Sequence, residues 1–339
     1  MRAIGFERFG GPEVLRPIEA PDPEPGPGEA LVRVLATSVN RLDILVRSGA
    51  FGAAVPLPHV PGADVVGVVE RIGPGVVDFS PGDLVVSNTI YGCGACRYCA
   101  RGDEVLCPRH KVLGVSVWGS YGELVKLPAR ALIKPPKGFG VEELAAMPLA
   151  YGTTWRALRT LGRVGPGSTV FIWAATGGVG TFAVQLAKAL GAYVIAQTRS
   201  EEKGRWLKSL GADAVVYGYD VATQVASIAE EGVDLVLDTT GAYLQTSISM
   251  TKPGGVVIVM GYLVNPEAKF DVRTLYRRGR AILGAQTSNR WELAEALEFA
   301  ARRGIRPVVQ EVMPIEEAAK AHSLVESGKV FGKLVLRHE

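Results

Sequence analysis

The segment STVFIWAATGGVGTFAVQLAKALGAYVIAQTRS, residues 168–200, decides the fold. An apolar run predicts a strand that ends at Ala174, and the run after it predicts a helix that begins at about Thr181. The turn between them fits the dinucleotide pattern G-x-G-x-x-G with alanine in the first place: Ala175, Thr176, Gly177, Gly178, Val179 and Gly180. Gly177 would let the backbone approach a pyrophosphate, and Gly180 would let helix and strand pack closely. A tight turn without a ligand is the alternative.

The end of the second predicted strand, QTRS at residues 197–200, bears on which dinucleotide binds. An NAD site favours an acidic residue for the ribose 2′-hydroxyl, and none appears in this stretch before Glu201. Arg199 offers a planar cation that suits a 2′-phosphate. Its alternative role is that of a solvated loop charge. We predict NADPH, with the 2′-phosphate near Thr198, Arg199, Ser200 and Lys203.

Strand and helix patterns alternate from residue 168 to about residue 285, and the strands are apolar throughout. This alternation predicts an α/β fold with a doubly wound, Rossmann-type parallel sheet covered on both faces. Thr240 and Gly261 follow two of these strands, where ligands bind in such sheets. Residues 1–130 instead hold valine-rich runs between glycine and proline turns, which predict a β-rich region. Helices are predicted at 141–162 with a break near Pro148, at 41–48, at 291–303 and at about 315–327.

Composition excludes several classes of protein. The chain has 339 residues, which favours two domains, and its hydrophobic content of 47% is that of an ordinary globular protein. A net charge of +3 disfavours nucleic acid or a membrane surface as a partner. The sequence shows neither a signal peptide nor a long apolar span, and its cysteines are clustered, so we expect reduced thiols and a cytoplasmic protein.

All four cysteines lie in YGCGACRYCARGDEVLC, residues 91–107. The spacing C-x2-C-x2-C-x7-C supplies four thiolates, which close a tetrahedral zinc and leave no position for substrate. The last gap of a ferredoxin run is three residues rather than seven, so an iron–sulfur cluster is disfavoured. We predict one structural zinc per chain, held by Cys93, Cys96, Cys99 and Cys107.

The chain resembles, essentially end to end, the medium-chain dehydrogenase/reductase superfamily of zinc alcohol dehydrogenases and quinone oxidoreductases. The resemblance rests on the cysteine lobe, AATGGVG (174–180), VPGADVVGVVERIGPGV (60–76) and SGKVFGKLVL (327–336). It implies a nucleotide-binding domain (128–280) with sheet order 3-2-1-4-5-6, and a cleft that holds the active site. It also implies Thr153 beside the nicotinamide, and a homodimer or homotetramer. The other domain would be GroES-like and catalytic, built from residues 1–127 and 281–339, with its zinc lobe at 91–108.

Zinc-dependent members of this superfamily hold a second, catalytic zinc with a cysteine, a histidine and a later cysteine or acid. The resemblance places Asn40, Ala63 and Leu149 at those three positions. Zinc binds thiolate, imidazole or carboxylate, and these side chains offer none of them. We therefore predict chemistry without a catalytic metal. A makeshift site would have to use three other residues, namely Asp43, His59 and Asp64.

A substrate oxygen then needs a hydrogen-bond donor in place of a metal. Asn40 is the first candidate, and its alternative role is a structural amide that ties the strand end to the helix. Asn40 and Asp43 match the N-x-x-D pattern of zinc-free quinone-reductase-like relatives, so both are predicted at the catalytic site. Asp43 and Arg47 are also spaced for a surface salt bridge on one helix face. The loop at 113–125 could line the cleft with Ser116, Trp118, Ser120 and Tyr121.

These observations predict a reductase that transfers hydride from NADPH to a carbonyl, a quinone or a conjugated enone. Two alternatives stay open at this point. The chain could be an NADP-dependent alcohol dehydrogenase that acts on secondary alcohols and ketones. It could also bind NADPH with little catalysis, since the glycine-rich turn would be needed for binding alone.

Overall fold

The computed structural model describes residues 1–262 and 266–339 of the chain. The strands of the described chain are β1 (Arg2–Gly5), β2 (Arg16–Glu19), β3 (Glu29–Ser38), β4 (Val66–Ile72), β5 (Leu84–Ser87), β6 (Ile90–Tyr91), β7 (Lys111–Val112), β8 (Leu124–Pro128), β9 (Leu132–Ile133), β10 (Thr169–Ile172), β11 (Tyr193–Thr198), β12 (Ala214–Tyr217), β13 (Val233–Asp238), β14 (Thr251–Val259), β15 (Ala281–Gly284), β16 (Val309–Pro314) and β17 (Lys333–Arg337). The α-helices are α1 (Arg41–Arg47), α2 (Val141–Ala145), α3 (Pro148–Trp155), α4 (Gly178–Ala189), α5 (Glu201–Ser209), α6 (Ala222–Ile228), α7 (Leu244–Met250), α8 (Val272–Tyr276), α9 (Arg290–Arg303) and α10 (Ala318–Glu326).

One compact unit, residues 153–287, contains the predicted parallel sheet. Within the described residues its six strands have the order β12-β11-β10-β13-β14-β15, and every neighbouring pair is parallel. This order is the expected 3-2-1-4-5-6 arrangement, so the prediction of an α/β doubly wound sheet is confirmed. Most buried strand positions hold apolar residues, mainly valine, isoleucine and leucine, because both faces of a parallel sheet are covered.

The other compact unit is β-rich and comprises residues 1–152 and 288–339, so both ends of the chain contribute to it. Its main sheet has the order β16-β17-β3-β4-β5-β9, with β8 also paired to β3. The last strand, β17, pairs antiparallel with β3, which places Val335 opposite Ser38. This pairing brings the C-terminal tail against the segment that holds Asn40.

The division of the chain lies later than the predicted domain limits at 127/128 and 280/281. Strand β9 pairs with β5, and helix α2 packs against β3 and β17, so residues 128–152 are part of the β-rich unit. The predicted break near Pro148 is present, because α2 ends at Ala145 and α3 begins at Pro148.

Two predicted boundaries at the glycine-rich turn were wrong by a few residues. Strand β10 ends at Ile172 instead of Ala174, because Ala174 adopts a left-handed backbone with φ = 48° that interrupts the extended run. Helix α4 begins at Gly178 instead of Thr181, because Gly177 already serves as its N-cap. The carbonyl of Gly177 accepts a 2.9 Å hydrogen bond from the Thr181 N–H. In the part of the chain that the structure describes, no helix has both the length and the apolar character that a membrane crossing requires.

Candidate functional site

The glycine-rich turn fits an approaching phosphate group. A Cβ added at Gly177 would find its nearest neighbour, the Ala174 carbonyl oxygen, 3.8 Å away, so the space beside this glycine is open. A Cβ added at Gly180 would lie 2.5 Å from the Cα of Ala175, which only glycine avoids. The backbone N–H groups in the first helical turn of α4 are therefore exposed beside the glycine-rich segment, as a pyrophosphate site requires.

Gln197 holds this turn in place, a role that the sequence did not reveal. Its side-chain oxygen accepts a 2.9 Å hydrogen bond from the Ala174 N–H, and its backbone oxygen accepts one of 3.0 Å from Ala175. Its side-chain nitrogen donates to the Gly218 carbonyl at 2.7 Å. The amide thus ties β10, β11 and the end of β12 together beside the predicted cofactor.

The predicted 2′-phosphate residues lie together at the end of β11. Thr198 is buried, and its hydroxyl accepts a hydrogen bond from the Ser200 N–H. Ser200 is the N-cap of α5, because its hydroxyl accepts from the Lys203 N–H at 3.3 Å. Arg199 is exposed at this edge. The pKa of the Lys203 ammonium is lowered, first by burial and then by the charge of Arg199.

The remaining predicted cofactor residues lie at or near the ends of other elements. The N–H and hydroxyl of Thr240 both donate to Asp238 Oδ1, at 2.8 and 2.7 Å, just after β13. Gly261 follows β14 and has open space on the side where a Cβ would stand, the nearest atom being the Thr239 oxygen at 3.8 Å. Thr153 is buried in α3.

The four cysteines form the predicted cage. Their sulfur atoms all lie within 4.8 Å of one another, and the Cys96 and Cys99 sulfurs are 3.6 Å apart. Four sulfurs about 2.3 Å from a zinc ion would be about 3.8 Å apart, so the donor set and its spacing fit zinc. A Cβ added at Gly92 would stand 2.4 Å from the Cys99 sulfur. Glycine at this position leaves room for the cage.

Hydrogen bonds hold the zinc lobe, residues 91–108, against the rest of the β-rich unit. Arg130 donates twice to the Gly92 carbonyl, at 3.2 and 2.8 Å. The indole N–H of Trp291 donates to the Gly102 carbonyl at 3.1 Å. Arg109 lies 3.2 Å from the Cys93 sulfur, and the pKa of this thiol is lowered to about 6, chiefly by the Ala95 N–H and then by Arg109. A thiolate here is the state that a metal ligand needs.

The three positions at which the family resemblance predicts catalytic zinc ligands in zinc-dependent members lie around the buried carboxylate of Asp64. The Asn40 amide nitrogen donates to its Oδ2 at 2.7 Å, and the Leu149 N–H donates to its Oδ1 at 2.8 Å. The Ser38 hydroxyl donates to Oδ2 at 2.5 Å. Ala63, the remaining one of the three positions, precedes Asp64 in the chain and is fully buried. Both oxygens of this carboxylate therefore already accept hydrogen bonds from the protein's own donors.

Asn40 uses its amide within this network. Its second hydrogen is directed to the Ser38 carbonyl at 3.2 Å, and its oxygen accepts a 2.5 Å hydrogen bond from the Lys333 ammonium. Only 5% of its surface is exposed. The geometry favours the structural alternative for Asn40, and a direct contact with substrate remains a prediction that would require this amide to exchange partners.

Lys333 was missed in the sequence, although it is the only cation of the network among the described residues. It is 4% exposed and lies 3.7 Å from Asp64, and it donates to the Val39 carbonyl at 3.1 Å. Burial lowers the pKa of this ammonium, while the charges of Asp64 and Asp43 raise it. A lysine within the apolar strand GKLVLR was the available signal, since a buried lysine requires a partner.

The predicted surface salt bridge between Asp43 and Arg47 was wrong. Both side chains are buried, because α1 packs against α10. Asp43 instead completes a capping box in which its Oδ2 accepts the Asn40 N–H at 2.8 Å. Arg47 donates to Glu326 on α10 at 2.5 Å. A catalytic role for Asp43 remains a prediction.

The loop residues considered for the cleft all have partners within the β-rich unit. The Ser120 hydroxyl donates to Thr37, and the Tyr121 hydroxyl lies 2.8 Å from the His322 ring. Both side chains are fully buried and serve as core. The Trp118 indole N–H donates to the Pro58 carbonyl at 3.0 Å. The Ser116 hydroxyl accepts a hydrogen bond from the Val112 N–H and donates one to the Val112 carbonyl.

The three residues of the makeshift metal site are not assembled as a site. His59 directs its Nε2 to the Gly114 carbonyl at 3.0 Å. Among residues 1–262 and 266–339, the four cysteines form the only group of three or more histidine, cysteine or acidic side chains that is close enough to hold a metal ion.

Asp43 should make stability depend on pH. Burial raises its pKa from 3.8 to about 7. Between pH 4 and 7 the folded state keeps a proton that the unfolded state releases, so the free energy of unfolding should fall as pH rises. Asp43→Asn keeps an acceptor for the Asn40 N–H and should flatten this slope.

Chemical denaturation from pH 4 to 8 measures this effect. The matched control is Asp271→Asn, which changes a partly exposed N-cap aspartate whose pKa is about 2 because of Arg273. That control should leave the slope between pH 4 and 7 intact. An identical slope in Asp43→Asn and the parent protein would contradict the assignment.

Comparison with known proteins agrees with this geometry. A family model described as "Zinc-binding dehydrogenase" matches residues 178–302, and one described as "Alcohol dehydrogenase GroES-like domain" matches residues 26–137. The chain is 34% identical over 341 residues to an alcohol dehydrogenase of Geobacillus stearothermophilus, with 99% of each protein covered. It is 33% identical to an acryloyl-coenzyme A reductase of Metallosphaera sedula, covering 94% of this chain and 95% of the relative. A crystal structure of an NAD-dependent alcohol dehydrogenase matches with a TM-score of 0.95 and 42% identity, over 99% of both chains.

Proposed function

Because the chain belongs to the medium-chain dehydrogenase/reductase superfamily, and is thus an NAD(P)H-dependent oxidoreductase, we propose that it reduces conjugated carbonyl compounds with NADPH. The substrates are enones, enoyl thioesters or quinones. One zinc ion is structural, and the reaction uses no catalytic metal. The observation that carries this proposal is the network at Asp64, whose carboxylate accepts hydrogen bonds from the Asn40 amide and the Leu149 N–H. The family resemblance places these two residues and Ala63 at the positions of catalytic zinc ligands.

The cofactor, when bound, supplies a hydride from its nicotinamide ring. The chain would hold its pyrophosphate at the Gly177–Gly180 turn and its 2′-phosphate at Arg199 and Ser200, with Thr153, Thr240 and Gly261 around the remainder. The four-cysteine cage would hold zinc in a closed tetrahedron that excludes substrate. The open space beside Gly177 and the clustered sulfurs support both assignments.

The substrate class follows from the charge that develops on the substrate oxygen. A Lewis acid stabilises such charge by several kcal/mol, and residues 40, 63 and 149 provide no ligands for one. A conjugated substrate spreads the charge through its own bonds and so depends less on the protein. The relative named acryloyl-coenzyme A reductase also favours a substrate with a conjugated double bond.

A second candidate is an alcohol dehydrogenase for secondary alcohols and ketones. It is favoured by the names of relatives such as the Geobacillus stearothermophilus protein. The structural relative named as NAD-dependent likewise favours NADH over NADPH, whereas Arg199 and the lack of an acid before Glu201 favour NADPH. The substrate class and the cofactor can both be measured directly.

Turnover of matched substrates tests the proposal. The purified protein is assayed with NADPH and with NADH against a cyclic enone, the saturated ketone of the same skeleton, an enoyl-CoA thioester and a quinone. At least one conjugated substrate should exceed the saturated ketone in kcat/KM by about 100-fold, since several kcal/mol of Lewis-acid stabilisation are missing. Equal turnover of the ketone, or rapid oxidation of the corresponding secondary alcohol with NADP+, would establish the second candidate instead.

A further inference from the structure

A cleft with an apolar floor and a charged rim lies in the β-rich unit, lined by β1, β2 and the residues that follow β16 and β17. We call it the acidic cleft. Its volume is about 270 Å³, and its lining includes the side chains of Ile4, Ile18 and Ile315. Ile4 and Ile315 are only 5% and 6% exposed, so the floor of the cleft is part of the core. Sites for drug-sized ligands have volumes of about 300–1,000 Å³, so this cleft suits a smaller molecule.

The rim of the acidic cleft carries four carboxylates and one guanidinium, which gives it a local charge of −3 in a chain whose net charge is +3. The carboxylates are those of Glu19, Glu123, Glu316 and Glu339, and the guanidinium is that of Arg2. Arg2 pairs with Glu123 at 2.7 Å. The pKa of Arg2 is raised, first by Glu123 and further by the charges of Glu316 and Glu339. Among the described residues, the three carboxylates other than Glu123 have no cation at salt-bridge distance.

His338 adds a hydrogen-bond acceptor to the acidic cleft. Its Nε2 lies 2.9 Å from the Ser120 carbonyl, which can only accept, so Nε2 carries the ring hydrogen and Nδ1 has a lone pair. Within the described chain Nδ1 has no hydrogen-bond partner, and it is accessible to solvent although the residue is only 9% exposed. Burial lowers the pKa of the ring, so the lone pair is available near pH 7. Such an acceptor in the wall of a cleft suits a donor from a ligand.

The wall behind His338 is fixed by a chain of hydrogen bonds that reaches Asp64. The Ser120 carbonyl accepts from His338, and the Ser120 hydroxyl donates to Thr37 at 2.7 Å. The Thr37 hydroxyl donates in turn to the Asp64 carbonyl at 2.8 Å. All four side chains are buried. The Nδ1 acceptor is therefore held in place before any ligand binds, which reduces the entropic cost of binding.

We propose that the acidic cleft binds an aliphatic polyamine, a diamine or triamine whose ammonium groups meet the unpaired rim carboxylates and donate to Nδ1 of His338. Its methylene chain lies on the isoleucine floor, where apolar surface is removed from water. A metal ion fits this cleft less well, because among the described residues only the four cysteines are close enough together to hold one. The polyamine site does not depend on the reaction proposed above.

Calorimetric titration of the full-length protein with butylamine, 1,4-diaminobutane and spermidine tests the proposal. One spermidine should bind per chain, with saturation below about 10 mM. The affinity should rise about 2- to 5-fold with each added ammonium group, as expected for ion pairs at a partly exposed rim. Glu316→Gln should lower the affinity for spermidine about 2- to 5-fold, and the double change with Glu19→Gln should lower it about 4- to 25-fold.

Glu317→Gln is the matched control. Glu317 follows Glu316 in the chain but does not line the cleft, and it pairs with Lys320 at 2.7 Å. This variant should bind spermidine like the parent protein. Equal losses in Glu316→Gln and Glu317→Gln, or displacement of spermidine by Mg²⁺ at constant ionic strength, would reveal a diffuse attraction of cations and overturn the site. A parent protein that shows no saturable binding of spermidine below about 10 mM would overturn it as well.

Discussion

Replacing Lys333 by methionine is expected to lower the free energy of unfolding by about 3–5 kcal/mol, the usual cost of leaving one partner of a buried ion pair uncompensated. Lys333 lies 3.7 Å from Asp64 and donates to Asn40, and all three side chains are buried. Methionine fills a similar volume, so the loss reports the charge and the hydrogen bonds rather than a cavity. Chemical denaturation near neutral pH measures it.

Two further variants separate this effect from a general sensitivity to lysine replacement. Lys320→Met removes an exposed partner of Glu317 and should cost no more than about 1 kcal/mol. Asp64→Asn combined with Lys333→Met removes both charges and should cost less than the sum of the two single changes. If Lys333→Met lowers the free energy of unfolding no more than Lys320→Met does, the buried network does not stabilise the fold as described.

Replacing Cys107 by serine is expected to release the zinc ion and to lower the unfolding temperature by roughly 5–15 °C. Cys107 is the buried ligand of the cage, and serine is a poor ligand for zinc. Without the metal the lobe would depend on hydrogen bonds such as those from Arg130 and Trp291. Zinc content, thermal unfolding and limited proteolysis of residues 91–108 report the change together.

Ala100→Ser places a serine in the same lobe at an exposed position that holds no metal. It should retain the parent zinc content and unfolding temperature. A Cys107→Ser protein with unchanged metal content would show that the other three cysteines suffice, which contradicts a closed four-sulfur site.

The sequence predicted those features that depend on local chemistry. The glycine pattern at residues 175–180 predicts open space for a phosphate beside one glycine and close packing of the helix on the strand at another. The structure has the open space at Gly177 and the close packing at Gly180. The cysteine spacing likewise leaves one compact arrangement of four sulfurs, which the structure contains. The alternation of strands and helices predicted a parallel sheet, and the family resemblance implied the strand order that the structure has.

Contacts between distant segments were beyond sequence reasoning. The Arg47–Glu326 pair and the Lys333–Asn40 hydrogen bond join residues almost 300 positions apart, and one chain gives no signal for such pairings. The salt bridge predicted between Asp43 and Arg47 failed for this reason, because helix spacing alone cannot tell an exposed face from one that another helix covers.

Metal analysis combined with turnover tests whether the protein reduces a conjugated carbonyl without a catalytic metal. Zinc per chain is measured on the purified enzyme before and after dialysis against a weak chelator, and enone reduction is assayed on the same samples. We expect one zinc per chain that dialysis does not remove, and turnover that survives. Two zinc ions per chain, with activity lost as the weaker one leaves and restored when it returns, would contradict it.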